Sequence, residues 1–457
     1  MNYAIMSNDI SVFGCSVQDE SDSGAPVAQH QATPVSTAQH IQARCRRTLL
    51  LALLAGAAAA TRAAAPDEDP LGKDAGYPVA PSLAQAYQER YLVGSFSAME
   101  SLGPACTVAP AKQPLPLNKA ASETTFAYRF RGRALTLDDY LQRQRVTALL
   151  VLKDGAIVAE RYNYQRNATH RMLSNSMAKT ITALALVKAL EEGLIRSFDD
   201  TAETYVPDLK GSLYGKTKLV NLLRMASGAR YVEDYTPSDD RARFNAMARR
   251  LGVVPAARSI TEREDEQGQR FNYAGAQTEV LGLVVRGATG RSLCDYVAEK
   301  IWQPIGAQYP ASWLLNPLDR VERAQGGFNA SVHDYARLGW MMANDGQAGG
   351  QTVVSREHLL DMTDPQRQPE AFRPGRMQHR GSSYAGYGFQ TWLLPGTQRR
   401  FVLLGIYGQA ILVDPALKLV VVHTAVGKDA SGDASGNHLG AERDALFRGI
   451  VAHYGAW

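Results

Sequence analysis

Hydrophobic and polar positions alternate between strand-like and helix-like patterns along most of the chain. Two apolar runs, Val146–Lys153 and Ala156–Tyr162, flank an Asp-Gly dipeptide at 154–155, a pattern typical of a β-hairpin. A run rich in alanine and leucine follows at 180–192 and ends at Gly193, which predicts a helix with a glycine C-cap. The pattern therefore places a hairpin shortly before a helix.

Strand-like runs return near the C-terminus, after a long stretch of mainly helical patterning from 201 to 362. The runs lie at 387–393, 401–404, 410–413 and 417–423, and a final helical segment covers 440–454. Strands at both ends of a domain, with helices between them, indicate one antiparallel sheet completed by distant segments. The pattern predicts an α/β (α+β) fold over 121–457, in which helices flank the sheet and the 201–362 stretch forms an inserted helical lobe.

The first 65 residues resemble an export signal preceded by an extension. The sequence Arg-Cys-Arg-Arg at 44–47 precedes an apolar run of leucine and alanine at 48–60, and mostly small residues continue to Ala65. A basic region, a short apolar region and an alanine-rich exit are typical of a secretory signal peptide. We therefore expect residues 1–65 to be an upstream extension with a signal at about 44–65, and the mature protein to be periplasmic or secreted. Residues 66–120 are rich in proline, alanine and glycine, so we expect a poorly ordered segment there.

Composition narrows the classes of partner. The 457 residues are 45% hydrophobic, and 49 basic against 45 acidic residues give a net charge of +4. Without a long basic run that carries interleaved aromatic residues, a nucleic-acid partner is not expected. We expect no stable membrane span unless the leader is retained, and the pattern indicates no particular oligomeric state.

Two cysteines, Cys106 and Cys294, would remain after cleavage of the leader, in a compartment where disulfides form. Their spacing leaves open whether they pair. Neither has a cysteine or histidine at metal-binding spacing, and the sequence contains no His-Glu-x-x-His or Cys-x-x-Cys motif. We therefore expect no metal site and no cofactor.

The most informative chemistry lies at the start of the predicted helix, where Ser176 and Lys179 are three residues apart. Residues at i and i+3 share one helix face, so the amine can reach the hydroxyl. A serine attacks an acyl carbon only when a nearby base takes its proton, which Lys179 could do. Unpaired N–H groups and the helix dipole at a helix N-terminus also favour developing negative charge. The same spacing fits an N-cap serine beside a solvated lysine, and short motifs of this kind recur by chance.

Further segments accompany this motif in a consistent order. They are Glu-Gly-Leu-Ile at 192–195, Leu-Leu-Arg-Met-Ala-Ser-Gly at 222–228, Phe-Asn-Tyr-Ala-Gly at 271–275, His-Asp-Tyr-Ala-Arg-Leu-Gly at 333–339 and Gly-Ile-Tyr-Gly-Gln at 405–409. Together with Ser-Met-Ala-Lys at 176–179, they resemble the serine beta-lactamase and penicillin-binding-protein superfamily. Within it the chain is similar to the class C-like esterases and the 6-aminohexanoate-dimer hydrolases. The resemblance implies a beta-lactamase/transpeptidase-like fold.

The resemblance also implies that Tyr273 completes a proton relay with Ser176 and Lys179. A phenol beside a lysine ammonium ionises more easily, because the opposite charge favours the phenolate. Tyr273 could then accept the serine proton. Two coupled groups titrate as a unit, so either Lys179 or Tyr273 can be the formal base. Without the resemblance, Tyr273 would be interpreted as a core tyrosine with a satisfied hydroxyl.

An oxyanion is stabilised when two N–H donors face one point. The backbone N–H of Ser176 can supply one, and the resemblance places the other at Ile406, directly after Gly405. The turn that begins at Tyr407 permits a shift of that second donor, and both Gly405 and Tyr407 are expected to border the substrate. The same glycine-rich segment also fits an ordinary hairpin turn.

Two departures from the family pattern bear on the substrate. The Lys-Thr-Gly motif is absent and 402–405 is apolar, so we expect no cation to bind a beta-lactam carboxylate. Gly275 stands where beta-lactamases of this shape carry an asparagine, which removes an amide from the cleft. Tyr235 resembles the tyrosine that contacts substrate in the aminohexanoate-dimer hydrolases, and its loop also fits a solvated acidic turn. These departures favour a small ester or amide as the small-molecule partner.

The sequence therefore predicts a serine hydrolase that works through an acyl-enzyme, either an esterase or an amidase similar to the aminohexanoate-dimer hydrolases. A catalytically silent binding or sensor domain could keep the same fold, and D-amino peptides or beta-lactams are alternative substrates. An alpha/beta-hydrolase would show Gly-x-Ser-x-Gly and a late histidine, whereas Asn175 and Met177 flank Ser176. His423 and His438 are interpreted as structural residues rather than as members of a triad.

Overall fold

An eight-stranded sheet forms the main layer of the fold. The computed structural model describes residues 64–378, 384–431, 436 and 438–457. The strands in this part of the chain are Ala105–Val108 (β1), Asn118–Lys119 (β2), Ala127–Phe130 (β3), Arg133–Thr136 (β4), Val146–Lys153 (β5), Ala156–Tyr162 (β6), Arg171–Leu173 (β7), Ala311–Leu314 (β8), Phe328–Ser331 (β9), Gln347–Ala348 (β10), Gln351–Thr352 (β11), Gly386–Tyr387 (β12), Trp392–Leu393 (β13), Phe401–Gly405 (β14), Gln409–Asp414 (β15) and Leu419–Ala425 (β16). The α-helices are Leu92–Phe96 (α1), Leu137–Arg143 (α2), Ala178–Glu191 (α3), Leu219–Leu223 (α4), Asp240–Leu251 (α5), Val253–Arg258 (α6), Gly275–Thr289 (α7), Leu293–Val297 (α8), Val332–Ala343 (α9), Arg356–Thr363 (α10) and Leu439–Tyr454 (α11).

The order of strands in the large sheet is β12-β13-β14-β15-β16-β5-β6-β2. The pairing of β5 with β16 is antiparallel and sets Val151 opposite Val421, which joins segments far apart in the sequence. The β5–β6 hairpin turns at Asp154 and Gly155, whose φ angles of 51° and 80° are left-handed. Apart from the short parallel β2, these pairings confirm the predicted antiparallel sheet completed by distant segments.

Apolar cores lie on both faces of this sheet. Alternate residues of β5 enter different clusters of buried side chains, with Leu150 in one and Leu149 in the other, as the twofold repeat of a strand requires. Helix α9 packs against β5, β15 and β16, and Gly339 permits the close approach, since a Cβ there would lie 2.5 Å from a methyl carbon of Val420. Helices therefore flank the sheet, and the predicted fold class is confirmed.

A second sheet of four strands, in the order β1-β8-β9-β7, lies close to the motif serine. Two of its strands, β8 and β9, fall within the 201–362 stretch that we expected to be a mainly helical lobe. Each is four residues long and entirely buried, so neither shows the polar–apolar alternation that marks a strand. The stretch is mostly helical, and it also contributes two strands that support the strand leading to Ser176.

The segment 66–120 differs from our expectation of poor order, because it packs against the rest of the fold. Leu71, Val93 and Phe96 are buried in a cluster that includes Leu173 and Val426. Two carboxylates of this segment also form ion pairs with the rest of the fold. Asp67 and Glu89 lie 2.8 and 2.5 Å from nitrogens of the buried side chain of Arg145. The packing is irregular rather than periodic, which is why the sequence pattern carried no signal for it.

A disulfide joins Cys106 in β1 to Cys294 in α8, across 188 residues of sequence. The sequence left this pairing open, and the structure brings the two cysteines together. The expected extension and signal segment within residues 1–65 lies almost wholly outside the described residues, which begin at 64. Among the described residues, no helix is both long enough and apolar enough to cross a membrane.

Candidate active site

Ser176 lies in a tight turn between β7 and α3. Its neighbour Asn175 adopts a left-handed conformation with φ of 44°, which is uncommon for a residue other than glycine. The turn spans Asn175–Met177, and α3 continues directly from it at Ala178. Ser176 is half-buried, whereas α3 behind it is buried along most of its length. The turn therefore presents the serine hydroxyl at the N-terminal end of a helix that is buried in the core.

Lys179 contacts Ser176 directly. Its Nζ donates to Ser176 Oγ over 2.9 Å and to the backbone oxygen of Gln325 over 3.0 Å. The lysine is only 2% exposed. Burial lowers the pKa of Lys179 from 10.5 to about 8, although the carboxylates of Glu233 and Glu279 act in the opposite direction. A substantial fraction of the amine is therefore neutral at mildly alkaline pH and can accept a proton.

Tyr273 lies on the other side of this lysine, whose Nζ is 4.9 Å from the centre of the phenol ring. The ring stacks on Trp392 at a centroid distance of 5.9 Å, within a cluster of buried aromatic side chains. Burial raises the pKa of Tyr273 strongly, and a hydrogen bond with Ser176 opposes this rise only in part. Our expectation of a phenolate favoured by the ammonium was therefore wrong, because desolvation and the nearby carboxylate of Glu233 both raise the pKa of Tyr273 and keep the phenol neutral.

The end of β14 lies against the serine turn. Asn175 Nδ2 donates to the backbone oxygen of Ile406 over 3.0 Å. A Cβ on Gly405 would lie 2.4 Å from the backbone oxygen of Ser174, so this close approach requires glycine. The N–H of Tyr407 donates to Ala430 over 3.2 Å. Since that N–H is already engaged, Ile406 is a better candidate than Tyr407 for the second oxyanion donor.

Gly275, at the first position of α7, faces the side chains of Glu233 and Gln325, and the sequence pattern did not indicate Gln325. Its N–H donates to Glu233 Oε2 over 2.7 Å, so a carboxylate lies at the positive end of the helix dipole. A Cβ at this position would lie 1.8 Å from Gln325 Oε1. The amide of Gln325 thus occupies the space that an asparagine at 275 would need.

A cleft of about 630 Å³ lies beside the end of β14, and Ser176, Lys179 and Tyr273 are not among its described lining residues. Of the residues expected to contact substrate, Tyr235 and Tyr407 line it, together with Ile406. Gly275 packs against Gln325 and Glu233 instead. The other residues of the wall are Leu83, Ala84, Tyr87, Thr236, Pro237, Arg241, Asn245, Arg249, Arg323 and Ala430.

Three arginines therefore face this cleft, which differs from our expectation that no cation would be available there. That expectation rested on the strand at 402–405, the usual place of the third-motif lysine. Arg241 and Arg249 come instead from α5, and Arg323 from the segment before β9. Helix α5 and the segment before β9 are distant in sequence and converge on the cleft only in three dimensions, so a local motif could not reveal these arginines.

The histidines take the structural roles that we expected. His423 is fully buried in β16, where Nδ1 lies 2.7 Å from the backbone oxygen of Gly408 and Nε2 lies 2.9 Å from the hydroxyl of Tyr140. Burial lowers the pKa of His423 to about 3, so its ring stays neutral. His438 contacts Arg131 at the start of α11.

One group of possible metal ligands occurs in the part of the chain that the structure describes: Cys106, Cys294 and Glu322. The two sulfurs are joined in the disulfide and offer no thiolate. Glu322 pairs with Arg286 over 2.7 Å and accepts from the Cys294 N–H over 3.1 Å. These contacts give the cluster a structural role.

Comparison with known proteins links this arrangement to a family. The sequence profile of the beta-lactamase family matches residues 136–444. A 6-aminohexanoate-dimer hydrolase from Paenarthrobacter ureafaciens is 27% identical over 368 residues, which cover 77% of this chain and 88% of that protein.

Solved structures show the same fold. A provisionally named 6-aminohexanoate-dimer hydrolase from Bacillus anthracis superposes with a TM-score of 0.71 at 24% identity, covering 82% of this chain and 98% of that one. EstCE1, a hydrolase with promiscuous acyltransferase activity, superposes with a TM-score of 0.50 at 16% identity, covering 66% of this chain and 94% of that one.

The matched residues 136–444 make up more than half of the chain and include Ser176, Lys179 and Tyr273. The resemblance inferred from the sequence motifs is thereby confirmed at the level of the family. The chain belongs to the beta-lactamase family and is a hydrolase of the beta-lactamase fold.

Proposed function

We propose that the protein hydrolyses small esters or amides through an acyl-enzyme formed on Ser176. The observation that carries this proposal is the 2.9 Å contact between Ser176 Oγ and Nζ of a buried lysine whose pKa is lowered to about 8. A serine hydroxyl needs a neighbouring base to become nucleophilic. Lys179 supplies that base at a distance suited to direct proton transfer.

In the acylation step, Ser176 Oγ attacks the carbonyl carbon while its proton moves to Lys179 Nζ. The carbonyl oxygen gains the negative charge and accepts hydrogen bonds from the N–H groups of Ser176 and Ile406. The tetrahedral intermediate then collapses, the bond to the alcohol or amine breaks, and the leaving group takes a proton. In deacylation, water adds to the acyl carbon, gives its proton to the relay and releases the acid with Ser176 restored.

Tyr273 acts in this scheme as a neutral proton donor beside Ser176 and Lys179. Its phenol keeps its proton because burial raises its pKa. A neutral phenol next to a lysine can pass a proton to the leaving group and regain one from the ammonium. This role separates the base, Lys179, from the acid, Tyr273.

Covalent labelling tests the nucleophile. We expect a fluorophosphonate probe to label the wild type stoichiometrically and Ser176→Ala not at all. Ser122→Ala is the matched control, since Ser122 is exposed in a loop and should label like the wild type. A folded wild type that stays unlabelled and cleaves no p-nitrophenyl ester would favour a catalytically silent binding domain instead.

Substrate comparison tests the reaction class. Short p-nitrophenyl esters, linear amide dimers, a D-amino peptide and nitrocefin should be compared by kcat/KM on one preparation. We expect esters or amides to be turned over fastest, because the strand at 401–405 carries no cation in the third-motif position and the three arginines of the cleft come from other elements. Nitrocefin turnover at a rate comparable to the esters would assign the protein to beta-lactam hydrolysis.

We also infer that the mature protein works outside the cytoplasm, in the periplasm or as a secreted protein. The disulfide between Cys106 and Cys294 supports this inference, since such bonds persist mainly in oxidising compartments. The basic and apolar run at 44–60 supports it independently. Detection of the disulfide-bonded form in a periplasmic extract, with a reduced form retained after deletion of residues 1–65, is the expected result.

A further inference from the structure

Both backbone N–H groups proposed for the oxyanion lie next to a residue in a left-handed conformation. Asn175, with φ of 44°, precedes Ser176. Tyr407, with φ of 62°, follows Ile406. Asparagine adopts this conformation more readily than a bulky aromatic residue does, and such backbone persists only where neighbouring contacts fix it. The position of the Ile406 N–H therefore depends on the side chains that hold Tyr407.

Two rings of the N-terminal segment pack against Tyr407. The ring centroids of Tyr87 and Phe96 each lie 5.5 Å from that of Tyr407, and Phe96 meets it edge-on. Tyr87 and Phe96 also pack edge to face with each other, at 5.4 Å. Aromatic side chains at these distances attract one another beyond the burial of their surfaces. The three rings thus form one cluster around the turn that follows Ile406.

Tyr87 also contacts the turn that carries Ser176. Its hydroxyl lies 3.5 Å from Asn175 Oδ1, at the long limit of a hydrogen bond. The amide nitrogen of the same asparagine donates to the backbone oxygen of Ile406 over 3.0 Å. Tyr87 is therefore in contact with both left-handed residues, and the side chain of Asn175 joins their two turns.

The segment that carries Tyr87 is fixed to the domain close to that residue. Glu89, two positions later, lies 2.5 Å from a nitrogen of Arg145, whose side chain is buried. Phe96 is buried at the end of α1. The ring of Tyr87 itself is 38% exposed on the cleft wall. Replacing Tyr87 therefore removes its contacts with the turn and leaves the anchors of the segment in place.

We propose that Tyr87 is a positioning residue whose ring holds Tyr407 in the left-handed turn and so fixes the N–H of Ile406. The two donors, on Ser176 and Ile406, then keep the separation that a tetrahedral oxyanion requires before the charge develops. This inference rests on the hydrolysis and the oxyanion donors proposed above. Tyr87 acts through Tyr407 rather than on a reacting atom.

Two esters that differ only in the carbonyl atom test this role. p-Nitrophenyl acetate places oxygen in the oxyanion site, whereas p-nitrophenyl thionoacetate places sulfur there, a weaker hydrogen-bond acceptor. With each kcat/KM divided by the rate of uncatalysed hydrolysis, we expect the wild type to prefer the oxygen ester by about a hundredfold, the scale of one lost oxyanion donor. A variant that is merely less folded loses both activities equally, so this preference reports the oxyanion site alone.

Variants of the segment assign the preference. Tyr87→Ala removes the ring and should lower the preference for the oxygen ester by about tenfold, since a displaced donor binds the oxyanion less well. Tyr87→Phe keeps the ring and should stay within about threefold of the wild type, because it loses only a long hydrogen bond. Leu83→Ala is the matched control, since Leu83 lines the same cleft without a ring to pack on Tyr407. This control can change KM but should leave the preference unchanged.

An unchanged preference in Tyr87→Ala, with circular dichroism like that of the wild type, would overturn the proposal. An equal loss in Leu83→Ala would also overturn it, by assigning the effect to the shape of the cleft, and an equal loss in Tyr87→Phe would assign it to the hydroxyl instead of the ring. A wild type that hydrolyses both esters without preference would contradict the oxyanion donors and, with them, this role. Failure of the hydrolysis proposal has a different signature: no fluorophosphonate labelling of Ser176 and no turnover of either ester.

Discussion

Lys179 and Tyr273 occupy the same buried site, and burial has opposite consequences for their chemistry. Desolvation disfavours whichever form of a group is charged, so it lowers the pKa of the lysine and raises that of the tyrosine. Both groups are therefore driven towards their neutral forms. A neutral amine accepts protons and a neutral phenol donates them. Lys179 can therefore act as the base and Tyr273 as the acid.

The pH profile follows from the lysine. Below a pKa of about 8, Lys179 is protonated and cannot accept the serine proton. We expect kcat/KM for a neutral ester such as p-nitrophenyl acetate to rise with pH, about tenfold per unit, and to level off above an apparent pKa near 8. Steady-state kinetics between pH 5.5 and 10 measure this. A profile already flat from pH 6 would contradict Lys179 as the base.

Removal of the phenol separates acid from base. Tyr273→Phe should lower kcat/KM by about a hundredfold to a thousandfold, the usual contribution of a positioned proton donor. The inflection near pH 8 should persist, because Lys179 is unchanged. If Tyr273 were the base instead, that inflection would disappear in Tyr273→Phe. Circular dichroism of the variant controls for folding, since the ring packs against Trp392.

At the scale of elements, the start of α7 and the segment before β9 form one unit through Gly275 and Gln325. Gly275→Ala would place a methyl group 1.8 Å from Gln325 Oε1 and push that side chain away from Asn245. We expect a loss of about 1–3 kcal/mol in the free energy of unfolding, measured by urea denaturation, together with reduced activity.

Two further variants sharpen this prediction. Gly103→Ala is the matched control, because a Cβ added at position 103 would have no heavy atom within 4 Å. This substitution should leave stability nearly unchanged. Gln325→Ala in the Gly275→Ala background should restore part of the loss by removing the obstructing amide. Strictly additive effects would show that the two residues do not interact as the structure indicates.

How much of the structure could be predicted from the sequence differed from one element to another. The Ser176–Lys179 spacing and the β5–β6 hairpin are local patterns, and both could be predicted. Gln325 and the arginines of α5 could not, because their roles arise where separate elements converge around the cleft. The ionisation of Tyr273 was misjudged for a related reason: its burial depends on aromatic neighbours such as Trp392, more than a hundred residues away in sequence.

For the whole molecule, the bond between Cys106 and Cys294 ties the N-terminal segment to the helical lobe. A cross-link that closes a long loop stabilises the fold mainly by restricting the unfolded chain. Replacing both cysteines with serine should lower the free energy of unfolding by about 2–5 kcal/mol, measured by chemical denaturation. The same loss should appear in the wild type after reduction, whereas the reduced and unreduced forms of the double variant should unfold alike. Equal stability of oxidised and reduced wild type would contradict this role.

The N-terminal segment forms part of the cleft wall, which bears on how the substrate range of the protein can evolve. Leu83, Ala84 and Tyr87 form part of the cleft wall, yet they precede residue 136, where the match to the family begins. The stretch of gene that encodes the catalytic groups is therefore separate from a stretch that shapes the cleft. Relatives with the same core and a different N-terminal segment would present differently shaped entrances to the same serine. Exchange of this segment between relatives offers a route to new substrate ranges that leaves every catalytic residue in place.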